Sequence, residues 1–182
     1  MSLRNRKILV GQEITSFVTT TVMNFEKIFS LNESYYNILL ESMKFVIKKY
    51  NADLIAFVFM PNHIHLILHL ENVKILSSLM RDFKKYTSTK IRQKLEEENQ
   101  FEILSRLKQY ADGKKNQVFK LWMDRFDDVT IYSEKILKTK IEYIHNNPVK
   151  KGLVENPENW IYSSYNNYFN EEKSLLELKR VL

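Results

Sequence analysis

"DLIAFVFMPNHIHLILHL", residues 53–70, is the stretch on which the fold turns. After Asp53, residues 54–60 are apolar at odd and even positions alike, as expected of a central strand covered on both faces. Pro61-Asn62 is a turn signal. Residues 63–71 then alternate, with Ile64, Leu66, Leu68 and Leu70 pointing one way and His63, His65, Ile67 and His69 the other. The chain has only four histidines, and two of them stand one residue apart at the start of this strand. A buried imidazole needs a hydrogen-bonding partner or a metal.

Working outward, "ITSFVTTTVMN" (14–24) is rich in β-branched residues and reads as a strand. Residues 30–50 follow as a helix, capped by Ser30 or Asn32, with Tyr36, Leu39, Leu40, Met43, Val46 and Ile47 at helical spacing. A second helix runs from near Val73 at least to Leu95, with Leu76, Leu79, Met80, Phe83 and Thr87 inward. Residues 96–117 either extend that helix or form an inserted excursion. Residues 118–132 read as a final strand with a polar exit, and 133–147 as a helix capped by Ser133 and halted by Pro148. The order predicts an α+β fold, a ferredoxin-like antiparallel sheet with helices packed on one face. The 182 residues make a single domain, with a core over 14–168 and a tail over 169–182 that ends as a short charged helix.

Composition narrows the function. An apolar fraction of 44% and a charged fraction of 27% fit a globular chain. There is no cysteine, which excludes thiolate metal sites and cysteine nucleophiles. Three glycines are too few for a phosphate-cradling glycine loop. No apolar stretch approaches a membrane span and no signal-peptide core precedes the domain, so a cytoplasmic protein is expected. The formal net charge of +6 suits a polyanionic partner.

His63 and His65 share one strand face with Cα atoms roughly 6.5 Å apart, close enough for two imidazoles to converge on one cation. Two histidines on a solvated strand face need no metal, and the spacing alone admits both readings. Tyr143 and Asn147 lie four residues apart on one face of the last helix, with Lys140 beside them, to one side of the apolar stripe Leu137, Ile141 and Ile144. His69 lies about 13 Å along the strand from His65 and reads as structural. His145, across its helix from Tyr143, reads as solvated.

Five segments in order carry a family resemblance: "MPNHIHLIL", "LMRDFKKYTSTKI", "LWMDRFDDVTI", "YIHNNPVKKGLV" and "WIYSSYNNY". Over about residues 14–168 the chain resembles the HUH single-tyrosine transposases, and among them the REP-associated tyrosine transposase branch. The resemblance implies a metal-dependent single-strand DNA nicking and joining enzyme. His63 and His65 would hold one Mg²⁺ or Mn²⁺, which polarises the scissile phosphate. Tyr143 would attack phosphorus, leaving a 5′-phosphotyrosine and a free 3′-hydroxyl. Asn147 is the third ligand candidate, directly or through water. The insertion-sequence branch usually has glutamine there, whereas the REP-associated branch has asparagine. A tyrosine hydroxyl is mostly protonated at neutral pH, and the cation and Lys140 are the groups that would favour its ionised form.

The resemblance also implies hairpin-containing single-stranded DNA as the partner. Arg81, Lys84, Lys85, Ser88 and Arg92 fall on the outward face of their helix as a backbone track, with Tyr86 and Arg81 available to stack on unpaired bases. Lys150 and Lys151 form a second cationic spot, and "RNRK" (4–7) a basic arm. Both a homodimer, in which the tyrosine helix serves the partner's histidines, and a monomer are compatible with the sequence. Two rival readings are a hairpin-binding protein without chemistry and a general α+β RNA-binding module. The first has no use for His63, His65 and Tyr143. The second usually shows aromatic residues where this strand shows histidines.

Overall fold

The computed structural model describes residues 13–112, 118–169 and 175–179. The basic stretch 4–7 lies outside them. Strands β1 (Ile14–Thr21), β2 (Asp53–Met60), β3 (His63–Leu70) and β4 (Asp127–Thr130) form one antiparallel sheet in the order β2-β3-β1-β4. Helices α1 (Glu33–Tyr50), α2 (Val73–Glu97), α3 (Phe101–Gln109), α4 (Glu134–Lys150) and α5 (Tyr165–Phe169) complete the fold. The α+β, ferredoxin-like arrangement is as expected.

Helices α1, α2 and α4 each begin where a side chain accepts an otherwise orphaned backbone N–H. Asn32, rather than Ser30, caps α1 by accepting from the Ser34 N–H at 3.0 Å. Asn72 does the same for α2 through the Lys74 N–H. Ser133 caps α4 through the Ile136 N–H. Residues 96–117 do not prolong α2. Asn99 adopts a left-handed φ of 55°, and α3 starts separately just after it.

The helices do not all lie on one face. Helices α1, α2 and α3 bury Leu39, Met43, Leu79, Phe83 and Leu107 against Val18, Leu54, Leu66 and Leu68. On the opposite face α4 sets Leu137, Ile141 and Ile144 against Phe17, Ile55, Val58 and Ile67. This second layer explains the two-faced apolar pattern of β2. That strand is an edge strand, not a central one. Its burial comes from helices above and below, and its open side is met by the chain's own later residues. Phe59 N–H donates to Tyr162 O at 2.9 Å, and Ser164 N–H donates to Phe57 O at 3.0 Å. A bulge between Leu54 and Ala56 puts Ile55 and Ala56 on the same side of β2.

Three further expectations change. The last strand is only four residues long, because residues 121–123 instead run beside the end of β1. Met23 N–H donates to Leu121 O and Met123 N–H to Thr21 O. Pro148 does not halt α4, which continues to Lys150. A proline in the last turn removes a single hydrogen bond. The true stop is Gly152 at φ 65°, where only glycine is unstrained. Of the tail, residues 175–179 are not helical, and Lys179 N–H donates to Leu54 O.

Candidate active site

The antiparallel pairing of β1 with β3 sets Thr19 beside His65 and Thr21 beside His63, and pairing of β2 with β3 sets Met60 beside His63. The two histidine rings meet edge to face with centroids 4.8 Å apart. Helix α4 crosses this face of the sheet, and the four-residue spacing brings Tyr143 and Asn147 to the same place. The Tyr143 ring lies 5.2 Å from the His65 ring and 5.8 Å from Phe17, edge-on to both. A cavity of about 330 Å³ is lined by Thr21, Phe25, Met60, His63, His65, Tyr143, Asn147 and Lys151.

Hydrogen bonds fix the protonation pattern of both rings. His63 Nδ1 lies 2.7 Å from Asn62 Oδ1, an acceptor, so Nδ1 carries the proton and Nε2 keeps its lone pair. Asn147 Nδ2 donates to His65 Nε2 at 3.2 Å, so that nitrogen is bare too, and His65 Nδ1–H donates to Thr19 Oγ1 at 2.7 Å. Burial pushes His63 down to about 4, helped by the charge of Lys151. Burial likewise pushes His65 down to about 3, with His63, Lys140 and Lys151 adding to it. Both rings are therefore neutral at pH 7.

The donor set, two imidazole nitrogens and an amide oxygen, fits a divalent ion. His63 and His65 line the cavity with unprotonated Nε2 atoms, that of His65 accepting from Asn147 Nδ2, and Asn147 Oδ1 is buried without a hydrogen-bond partner among the described residues. A coordinating cation would satisfy that orphaned oxygen. No cluster of three or more His, Asp or Glu side chains arranged for a metal occurs among the described residues. His69 is bonded to Thr15 Oγ1 at 3.0 Å and stands apart, as expected. His145 is a correction. It is 1% exposed rather than solvated, because residues 163–169 fold back over that side of α4.

Three ammonium groups surround the tyrosine. Lys140 Nζ lies 4.5 Å from the Phe17 ring and 5.7 Å from that of Tyr143. Because α4 runs through Pro148, Lys150 stands two turns beyond Tyr143, and its Nζ lies 5.5 Å from the ring. Lys151 lines the cavity. The α2 residues are not brought to this site, since α2 packs on the other face. Lys84, Lys85, Ser88 and Arg92 line a separate groove of about 460 Å³ against residues 118–124. Met123, which lines that groove, donates its N–H to the carbonyl of Thr21, which lines the cavity. Lys84 does not face outward. Its Nζ donates to the carbonyls of Met123, Asp124 and Arg125, and burial pushes it down to about 8. Arg81 is exposed and bonded to Asp82, and Arg92 lies 3.9 Å from Glu96. Tyr86 is exposed and stacked on Phe45 at 6.1 Å, with Lys90 over its ring.

Thr19, Asn62, Phe17 and Phe45 were not anticipated from the sequence. Asn62 adjoins His63 in the chain and could have been found there. The others take part only through strand pairing or helix packing, which leave no local signal.

Among the described residues no helix is long and apolar enough to cross a membrane. A protein of Haemophilus influenzae described as a REP-associated tyrosine transposase is 29% identical over 135 residues, covering 72% of this chain and 69% of that one. The structure of a REP-associated tyrosine transposase bound to a REP hairpin superposes with a TM-score of 0.66 over 100% of this chain and 99% of that one. At 22% identity that likeness speaks for the fold. The family model described as "Transposase IS200 like" matches residues 19–147, a span that opens on Thr19, contains His63, His65 and Tyr143, and closes on Asn147. The chain belongs to the IS200-like transposase family.

Proposed function

We propose that this protein is a metal-dependent single-strand DNA endonuclease and strand transferase acting on hairpin-containing DNA, with Tyr143 as nucleophile. The observation that carries this reading is the meeting, within one chain, of the Tyr143 ring, two imidazoles with unprotonated Nε2 atoms and the unpartnered amide oxygen of Asn147 around one cavity. His63, His65 and Asn147 would hold Mg²⁺ or Mn²⁺. When bound, the ion supplies Lewis-acid polarisation of a non-bridging phosphate oxygen.

The chain's own groups do the rest. The Tyr143 oxygen forms a bond to phosphorus as its proton leaves. The bond from phosphorus to the 3′-oxygen breaks, and that oxygen takes a proton. The products are a 5′-phosphotyrosine and a 3′-hydroxyl. A second 3′-hydroxyl can reverse the step, because the covalent link keeps the phosphodiester energy. Lys140, Lys150 and Lys151 offset the phosphate charge, and Phe17 and His65 hold the tyrosine ring edge-on. Lys85, Arg92, Arg81 and Tyr86 would take the flanking strand along α2, with Lys84 as a structural support for that groove's far wall. A hairpin substrate is supported by the REP hairpin bound in the similar structure. Tyr143 lies beside its own chain's histidines, which favours a complete site in a monomer.

The test is incubation with single-stranded hairpin oligonucleotides in Mg²⁺, Mn²⁺ or EDTA, read on a denaturing gel. The expected result is a metal-dependent protein–DNA adduct that is absent from Tyr143→Phe. Hairpin binding with no adduct in any metal would leave a binding protein without chemistry.

A further inference from the structure

His145 sits between Tyr143 and Asn147 in sequence but projects to the buried outer side of α4. Its Nε2 lies 2.8 Å from Ser164 Oγ. Ser164 is 0% exposed and joined to β2 three times: Phe57 N–H donates to its Oγ at 3.0 Å, and its own N–H and hydroxyl both donate to Phe57 O. With that hydroxyl proton committed, the remaining lone pair of Ser164 Oγ receives His145 Nε2–H. The rings of Tyr165, Tyr168 and Phe169 surround the imidazole with centroids 5.5, 5.3 and 6.0 Å away. Flanking residues fasten the same segment to β2. Trp160 Nε1–H donates to Phe59 O and the Tyr168 hydroxyl to Ile55 O.

The apolar seat of α4 is thin, resting on Leu137, Ile141 and Ile144. Three residues, 131–133, join it to β4. Apolar packing is non-directional and tolerates a helix sliding or rolling on its stripe. A hydrogen bond to a serine pinned on a strand does not. We infer that His145 and Ser164 are positioning residues, and that residues 160–168 form a clamp holding α4 so that Tyr143 and Asn147 face the histidines of their own chain. The inference rests on the reading of Tyr143 as nucleophile. His145 touches neither DNA nor the cavity, and acts through the orientation of the helix.

The experiment measures single-turnover adduct formation at saturating hairpin oligonucleotide in Mn²⁺, well below the melting temperature of every variant. Ser164→Ala and His145→Phe should each slow the adduct rate constant by about 10- to 100-fold, the cost of a misplacement of about 1 Å. Hairpin affinity should stay within about twofold. The double variant should be no slower than Ser164→Ala, because the bond that His145→Phe removes is already lost with the Ser164 hydroxyl, which also serves Phe57. Tyr168→Phe, a milder loosening of the clamp, should slow it by a smaller factor and covers the case in which the others fold poorly. A mixture of His63→Ala and Tyr143→Phe chains should form no adduct. Unchanged rate constants in these variants, multiplicative losses in the double variant, or adduct from the mixture would each overturn the clamp while leaving the nucleophile intact. Absence of a Tyr143-dependent adduct from the parent chain would overturn the nucleophile and the clamp together.

Discussion

The hydroxyl of Thr19 fixes which nitrogen of His65 carries the proton, and through it which nitrogen can bind a cation. Removing such an outer partner typically costs 10–100-fold in metal affinity or activity. Thr19→Val should therefore weaken Mn²⁺ binding by about that factor, measured by calorimetry, while leaving hairpin binding in EDTA unchanged. The same rings govern acid stability. His63, His65 and His145 titrate at about 4, about 3 and about 4 in the folded chain, each lowered chiefly by burial, against 6.5 for an unperturbed histidine. Between pH 6.5 and about 3 the unfolded chain binds more protons than the folded one, so stability falls as the medium is acidified through that window. Above it these rings are neutral in both states and cost nothing. One ring displaced as far as His145 accounts for up to about 3 kcal/mol. Urea midpoints should drop from pH 7 to pH 5, and the drop should be smaller in His145→Phe.

At the scale of the element, α4 is the piece on which the site depends. Its sequence carries three demands at helical spacing: an apolar stripe for the sheet, Tyr143 and Asn147 for the cavity, and His145 for the clamp. Ile144, fully buried against the sheet, is the most deeply buried residue of the stripe. Ile144→Ala should cost about 2–5 kcal/mol in urea denaturation. The end of the helix is a backbone matter. A Cβ at Gly152 would meet nothing within 4 Å, but its φ of 65° strains any other residue. Gly152→Ala should cost about 1–2 kcal/mol, and it should do so by loosening the turn that presents Lys150 and Lys151. The sequence located this helix and its cap correctly but stopped it at Pro148. A proline forbids a helical hydrogen bond only for its own nitrogen, and near a C-terminus that loss is small.

For the whole molecule, charge and topology work together. The net charge of +6 is not spread evenly in its effect. Lys140, Lys150 and Lys151 form no ion pair among the described residues and flank the tyrosine, whereas Lys49, Lys94, Lys120 and Lys138 are paired with acids. Unpaired cations near phosphate release counterions on binding. The log of hairpin affinity should fall linearly with the log of salt concentration. Replacing Lys150 or Lys151 with Gln should reduce the slope by about 0.7 each for a single strand, whereas Lys138→Gln should leave it unchanged. Fluorescence anisotropy across a salt series in EDTA measures this without the chemistry.

The sequence by itself determined strands β1, β2 and β3 and helices α1, α2 and α4, the alternation that sends His63 and His65 to one side of β3, and the spacing that sets Tyr143 one turn from Asn147. These are properties of a few neighbouring residues, and periodicity reports them because side-chain direction follows backbone geometry within an element. Tertiary structure alone decided what lies against each buried face. It made β2 an edge strand sealed by residues 162–164, put α4 across the sheet from α1 and α2, buried His145, turned Lys84 inward and gave His65 its Thr19. Burial leaves a mark in the sequence, but the identity of the covering group does not, since apolar packing accepts any partner of suitable shape and only the closed fold selects one.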